Sequence, residues 1–176
     1  SNLFDGMSQK RTKKPVSDLF SGLSGKLDPI KASYTPTGTV ARPQSGGRGV
    51  SSLLRLIRTK EAPRGYDDYF RGVSSPPPRP LTTMTVGEVL DWQDSIDRTS
   101  PSEAAGGYQI MEDTLRGLVN QGHAKKSERF SPAVQDRLAT ALLNRRGLKS
   151  YQAGRLSETD FANNIAMEWA SFPVVS

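Results

Sequence analysis

The sequence predicts a mainly α (α+β) fold: a helical domain over residues 48–176 with a small irregular or β lobe, preceded by an extended basic arm over residues 1–47. Three observations carry this. Apolar residues recur at helical spacing in several segments bounded by caps and stops. The run Ser74-Ser75-Pro76-Pro77-Pro78-Arg79-Pro80 interrupts them where neither a helix nor a central strand is able to continue. The first 47 residues hold 6 Gly, 4 Pro and 7 Ser and keep no amphipathic period.

In chain order, Val50, Leu53, Leu54 and Ile57 mark a first helix that ends near Glu61, because Pro63 blocks its continuation. Tyr66–Val73 mixes aromatics with turn residues and, with the proline run, forms the irregular lobe, with room for a small hairpin. Thr85 and Glu88 make a capping box ahead of Val86, Val89, Leu90, Trp92 and Ile96, a helix reaching about Asp97. A further helix is expected over Tyr108–Asn120, closed by Gly122. Ser131-Pro132 caps a helix carrying Val134, Leu138, Ala141 and Leu142 and stopped by Gly147. Ser157, with Asp160 three residues on, caps the last helix, whose Phe161, Ile165, Met167 and Trp169 are expected to face the core, with Pro173 ending it.

Composition narrows the chemistry. With 176 residues and 35% hydrophobic content, at a mean hydropathy of −0.55, the chain is able to build one ordinary core. No run approaches the roughly 18 apolar residues of a membrane span, and Ser1–Lys14 has no signal-peptide stretch. The absence of Cys excludes disulfides, thiolate zinc sites and cysteine nucleophiles, and the single His123 argues against a histidine metal site or a Ser/His/Asp triad. No metal or cofactor is expected, and an enzyme of this composition would work with carboxylates or hydroxyls.

Glu61 at the end of an apolar helix is the first candidate, although an arbitrary Glu beside Arg58, Lys60 and Arg64 would more simply be a solvated helix-end residue. Some forty residues on, Ser102-Glu103-Ala104-Ala105-Gly106-Gly107-Tyr108-Gln109 forms a small-residue loop that would let backbone approach a sugar, with Tyr108 and Gln109 as a stacking face and a hydrogen-bonding amide. A tight turn before a helix is the alternative.

These residues resemble a known family. The S-E-A-A-G-G-Y-Q loop, the F-S-P-A-V-Q-D stretch from Phe130 to Asp136, the Arg146-Gly147 helix end and the W-A-S-F-P ending from Trp169 to Pro173 follow the order and spacing of the bacteriophage lambda-type endolysin family. The likeness covers residues 50–173, weakly over Ser74–Ser100, and does not extend to residues 1–47. It implies a lysozyme-like fold and a peptidoglycan lytic transglycosylase whose catalytic glutamate ends the first helix; Glu61 is the acid that fits, although Ala62 stands where the family has glycine. It further implies Ser102 hydrogen-bonded to Glu61, with an ordinary loop cap as the alternative, Tyr108 and Gln109 against sugar or N-acetyl group, with core packing as the alternative for Tyr108, and Gln135 lining the cleft. Trp92 and Trp169 read as core, and His123 as a loop residue. The family usually continues past W-A-S-F-P, whereas this sequence stops soon after, at Ser176.

Glycosidic cleavage needs a proton on the leaving oxygen, and ordinary hydrolases add a second carboxylate. Asp67, Asp68 and Glu103 are the candidates for that second group. Another phage lysozyme family places an aspartate nine residues after its glutamate and a threonine six further on, where this chain has Phe70 and Pro76. The failure of that pattern favours transglycosylation of glycan strands, in which the muramic acid 6-hydroxyl replaces water. A hydrolytic muramidase of the same fold and a structural virion protein with an inactive domain are the alternatives.

A basic nucleic-acid module is the competing class, given an isoelectric point near 9.7. The charge argues against it: residues 1–47 carry +4 of the net +6, and the domain has no aromatic-basic stripe. Val16–Phe20 with Leu23, and Leu27–Ile30, are spaced apolar anchors on the arm, which otherwise reads as a solvated linker. An arm of this kind suits attachment to virion or tail proteins, with the enzyme carried by the injection machinery and acting in the host periplasm or cell wall.

Overall fold

Helix α1 (Gly46–Glu61) forms because Leu53, Leu54 and Ile57 fall on one stripe, and all three are buried. It is the first element of a computed structural model that describes residues 46–172 and 174. Most of the predicted arm, residues 1–45, lies outside the described residues. Gly46 and Gly47 belong to α1, so the helix starts two residues inside the predicted arm. The Gly-rich start has too little helix propensity to announce itself. The other end matches the sequence: Ala62 N–H still donates to Arg58 O at 2.8 Å, and the chain turns at Pro63.

The lobe that follows is held by turns and single bridges. Tyr69 pairs with Ala105, Ala105 with Ile110 and Thr85 with Arg129; among the described residues no longer strand forms. The proline run is pinned onto the helix after it, where Trp92 Nε1 donates to Ser75 O at 3.0 Å. That helix, α2 (Val86–Ile96), opens with the predicted capping box, Thr85 and Glu88 each accepting from the other's backbone N–H. Trp92 is buried, as expected.

Helix α3 (Glu112–Asn120) begins four residues later than the predicted Tyr108 start. Ala105 and Ile110 exchange hydrogen bonds of 3.1 and 3.0 Å, closing a tight turn whose Gln109 sits at φ 48°. This turn captures Tyr108–Ile110, and the helix starts only where Glu112 and Asp113 put negative charge at its N-terminus. Helix α4 (Pro132–Arg145) has the predicted Ser131 cap and N-terminal proline. Gly147, at φ 102°, breaks it and leads directly into α5 (Leu148–Gln152), a short helix the sequence did not reveal. Helix α6 (Glu158–Glu168) is capped by Ser157 as expected.

Two expectations for α6 fail. Met167 is 62% exposed, because two residues beyond buried Ile165 a helix has turned about 200°. The helix also ends at Glu168, before Pro173, which lies outside the described residues; Trp169 is already extended at φ −126°. Trp169 and Phe172 nonetheless reach the core, which gathers Leu53, Ile57, Tyr108, Phe130, Leu138 and Phe161 into one cluster. Helix α1 packs on α4, α2 on α3, and α5 on both α4 and α6.

Candidate active site

Glu61 is the last residue of α1 and is half-buried. Its Oε1 receives two donors from one residue of the C-terminal segment, the Ser171 hydroxyl and, at 3.3 Å, the Ser171 backbone N–H. Oε2 has no hydrogen-bond partner among the described residues. Ser171 is fixed by what flanks it. Trp169 is buried and donates from Nε1 to Tyr108 O at 2.9 Å. Phe172 is buried, its N–H donates to Trp169 O at 3.0 Å, and Lys60 Nζ lies 5.6 Å from its ring centroid.

Ser102 is not Glu61's partner. It accepts from Ala104 N–H at 3.2 Å and donates to Met111 sulfur at 3.8 Å, both within its own loop. The hydroxyl on the glutamate comes instead from the W-A-S-F stretch, more than a hundred residues away in sequence, and no local spacing signals it.

One turn before Glu61, Arg58 enters a cluster centred on Asp136 of α4. A single Asp136 oxygen, Oδ1, accepts from Tyr108 at 2.5 Å, Tyr66 at 2.9 Å and Arg58 at 3.4 Å. Arg58 also donates to the Tyr108 hydroxyl at 2.7 Å and lies 4.7 Å from the Tyr66 ring centroid. Burial, then the hydrogen bond to Asp136, pushes both the Tyr108 and the Tyr66 hydroxyls above the usual tyrosine range. Tyr108, at 1% exposure, is therefore a core residue and not a sugar-stacking face. The sequence reading missed this cluster, although Asp136 closes the F-S-P-A-V-Q-D motif.

The glycine loop serves internal packing. Gly106 and Gly107 are buried. A Cβ on Gly106 would meet Gln135 Oε1 at 2.4 Å, and one on Gly107 would meet Arg58 Cδ and Tyr66 Cδ1 at 3.0 Å. Gln135 does not line a cleft: it is wholly buried, accepts from Gly107 N–H at 2.8 Å, and donates to Phe130 O at 2.9 Å and Tyr66 O at 3.1 Å. It clamps the glycine loop to the lobe and to α4. Gln109 is half-buried and donates to Gly106 O at 2.8 Å and Asp68 O at 3.3 Å.

Of the acids weighed as a second carboxylate, Asp68 and Asp67 have side-chain partners, and the Glu103 carboxylate has none among the described residues. Asp68 is buried, pairs with Arg64 at 2.9 Å and accepts the Arg64 and Tyr69 N–H groups at 3.3 and 3.0 Å. Asp67 is exposed and accepts the Thr82 N–H at 2.8 Å. Glu103 contributes its backbone carbonyl, which accepts from Gln93 at 2.8 Å.

An Endolysin family model matches residues 91–176, from within α2 through the glycine loop to the W-A-S-F stretch. This match supports an endolysin family for the chain. The endolysin match brings with it the degradation of bacterial cell-wall peptidoglycan as the general activity. No curated protein and no solved structure matches the chain. Glu61 lies upstream of the endolysin match; the segment that grips it, Trp169–Phe172, lies inside. No described helix is long and apolar enough to cross a membrane.

Proposed function

We propose that the chain is a peptidoglycan lytic transglycosylase that cleaves the MurNAc–GlcNAc bond with Glu61 as its single acid and base. The observation that carries this reading is the placement of Glu61: it ends α1 with Oε1 held by Ser171 and Oε2 without a partner among the described residues, while the buried Asp68 is taken up by Arg64 and the backbone. Glu61 donates its proton to the glycosidic oxygen, the bond to the muramic acid C1 breaks, and the GlcNAc 4-hydroxyl leaves. Positive charge develops at C1. The Glu61 carboxylate then takes the proton of the muramic acid 6-hydroxyl, whose oxygen closes on C1 to give a 1,6-anhydro ring and restores the acid. No water is consumed, so no second carboxylate is required.

We further propose that residues 1–47 tether the enzyme to a phage tail or injection machinery, on the strength of their +4 charge and spaced apolar anchors. The enzyme would then open the host wall during infection. The test of the catalytic reading is Glu61→Gln assayed by turbidity on purified murein. The amide is nearly isosteric and cannot donate the proton, so activity is expected to fall by about 100-fold or more with the fold intact. Retention of more than about a tenth of the wild-type rate would remove Glu61 from the role.

A further inference from the structure

We infer that Ser171 is a positioning residue that fixes which oxygen of Glu61 exchanges the catalytic proton. The inference rests on the proposed role of Glu61. A carboxylic acid carries its proton on one oxygen, and an oxygen already accepting two N–H or O–H donors is the poorer place for it. Ser171 presents both its hydroxyl and its backbone N–H to Oε1. The proton is thereby directed to Oε2, the oxygen without a partner among the described residues, and the carboxyl plane is locked by a two-donor grip.

The grip is preorganised. Ser171 lies between two buried aromatic anchors, Trp169 and Phe172, and the Trp169 indole is tied to the Tyr108 carbonyl of the glycine loop. Glu61 is thus oriented from two sides: α1 sets its backbone, and the C-terminal segment sets its side chain. The helix alone would leave the glutamate free to rotate about its side-chain torsions, and the productive orientation would be one of several rotamers.

The experiment measures kcat and KM on soluble uncrosslinked glycan strands, with thermal unfolding, for wild type, Ser171→Ala, Ser171→Thr and Glu61→Gln. Ser171→Ala is expected to lower kcat by about 10- to 100-fold with KM and the unfolding midpoint nearly unchanged, because binding and core are untouched and only the acid is loosened. Ser171→Thr, which keeps the hydroxyl, is expected to recover most of the rate. Should Ser171→Ala not fold, Ser171→Cys fills the same space with a poor donor and is expected to show the same kcat loss. Wild-type kcat in Ser171→Ala or Ser171→Cys, with Glu61→Gln inactive, overturns the inference and leaves the catalytic reading standing. An active Glu61→Gln overturns both. A fall in kcat that Ser171→Thr does not relieve assigns Ser171 a packing role and overturns the inference.

Discussion

Tyr108 shows how one side chain joins packing to charge. Its ring fills the core, its carbonyl holds the Trp169 indole, and its hydroxyl stands between Arg58 and Asp136. Because burial and Asp136 raise the Tyr108 and Tyr66 hydroxyls, the folded state keeps protons that unfolded tyrosines release above about pH 10. The folded chain then binds more protons than the unfolded one, and stability falls as pH rises. Thermal unfolding followed from pH 8 upward is expected to show a steep loss beyond about pH 10, and a shallower one in Tyr108→Phe; parallel curves would mean that this hydroxyl ionises as freely in the fold as outside it. Asp68→Asn is a second test at this scale. It takes the charge from a buried carboxylate that accepts two backbone N–H groups and pairs with the exposed Arg64, and is expected to cost about 1–2 kcal/mol of stability in denaturant unfolding. The rate per folded molecule should be kept, since Asp68 holds Arg64 and the loop but no substrate; a folded yet inactive Asp68→Asn would instead make Asp68 a reacting carboxylate.

The glycine loop is the element on which the site's shape depends. Gly106 sits at φ 81° with Gln135 and Phe130 against it, both buried, so Gly106→Ala is expected to destabilise by about 3 kcal/mol or more. Gly117, inside α3 with open space around it, is the contrast: Gly117→Ala is expected to stabilise by about 0.5–1 kcal/mol. Urea unfolding of the two variants checks the sign of each. Helix boundaries marked by local chemistry were legible in the sequence. Thr85, Ser131 and Ser157 cap because a hydroxyl reaches an N–H two or three residues on, and that spacing is visible without a structure. The start of α3 was not legible, because the turn that displaces it depends on Ala105 pairing with Ile110 and on Asp68 O accepting from Gly106 N–H at 2.7 Å. Met167 was placed inward by hydropathy alone, against its position around the helix.

Across the whole molecule, the place of Glu61 at the end of α1 was legible because a helix end is a local feature, whereas its hydrogen-bond partner was not. Ser102 is near Glu61 in the order of motifs, but Ser171 is the residue that arrives there, since the C-terminal segment crosses back to α1 on the anchors Trp169 and Phe172. Asp136 and the clamping role of Gln135 escaped for the same reason: their partners Arg58, Tyr66 and Gly107 belong to distant parts of the chain. Residues 1–45 keep no amphipathic period and hold too little apolar sequence for a core, so a protein lacking them is expected to cleave murein at the full-length rate while failing to enter assembled particles. Normal assembly of the truncated protein would contradict the tethering role. The central claim, a cleavage in which one carboxyl serves as acid and then base without water, is tested most directly by mass spectrometry of the muropeptides released from purified peptidoglycan. Products lighter than those of a hydrolytic lysozyme by about 18 Da, the mass of one water, are expected, because the 6-hydroxyl takes the place of water at C1. Muropeptides with intact reducing ends would contradict the account.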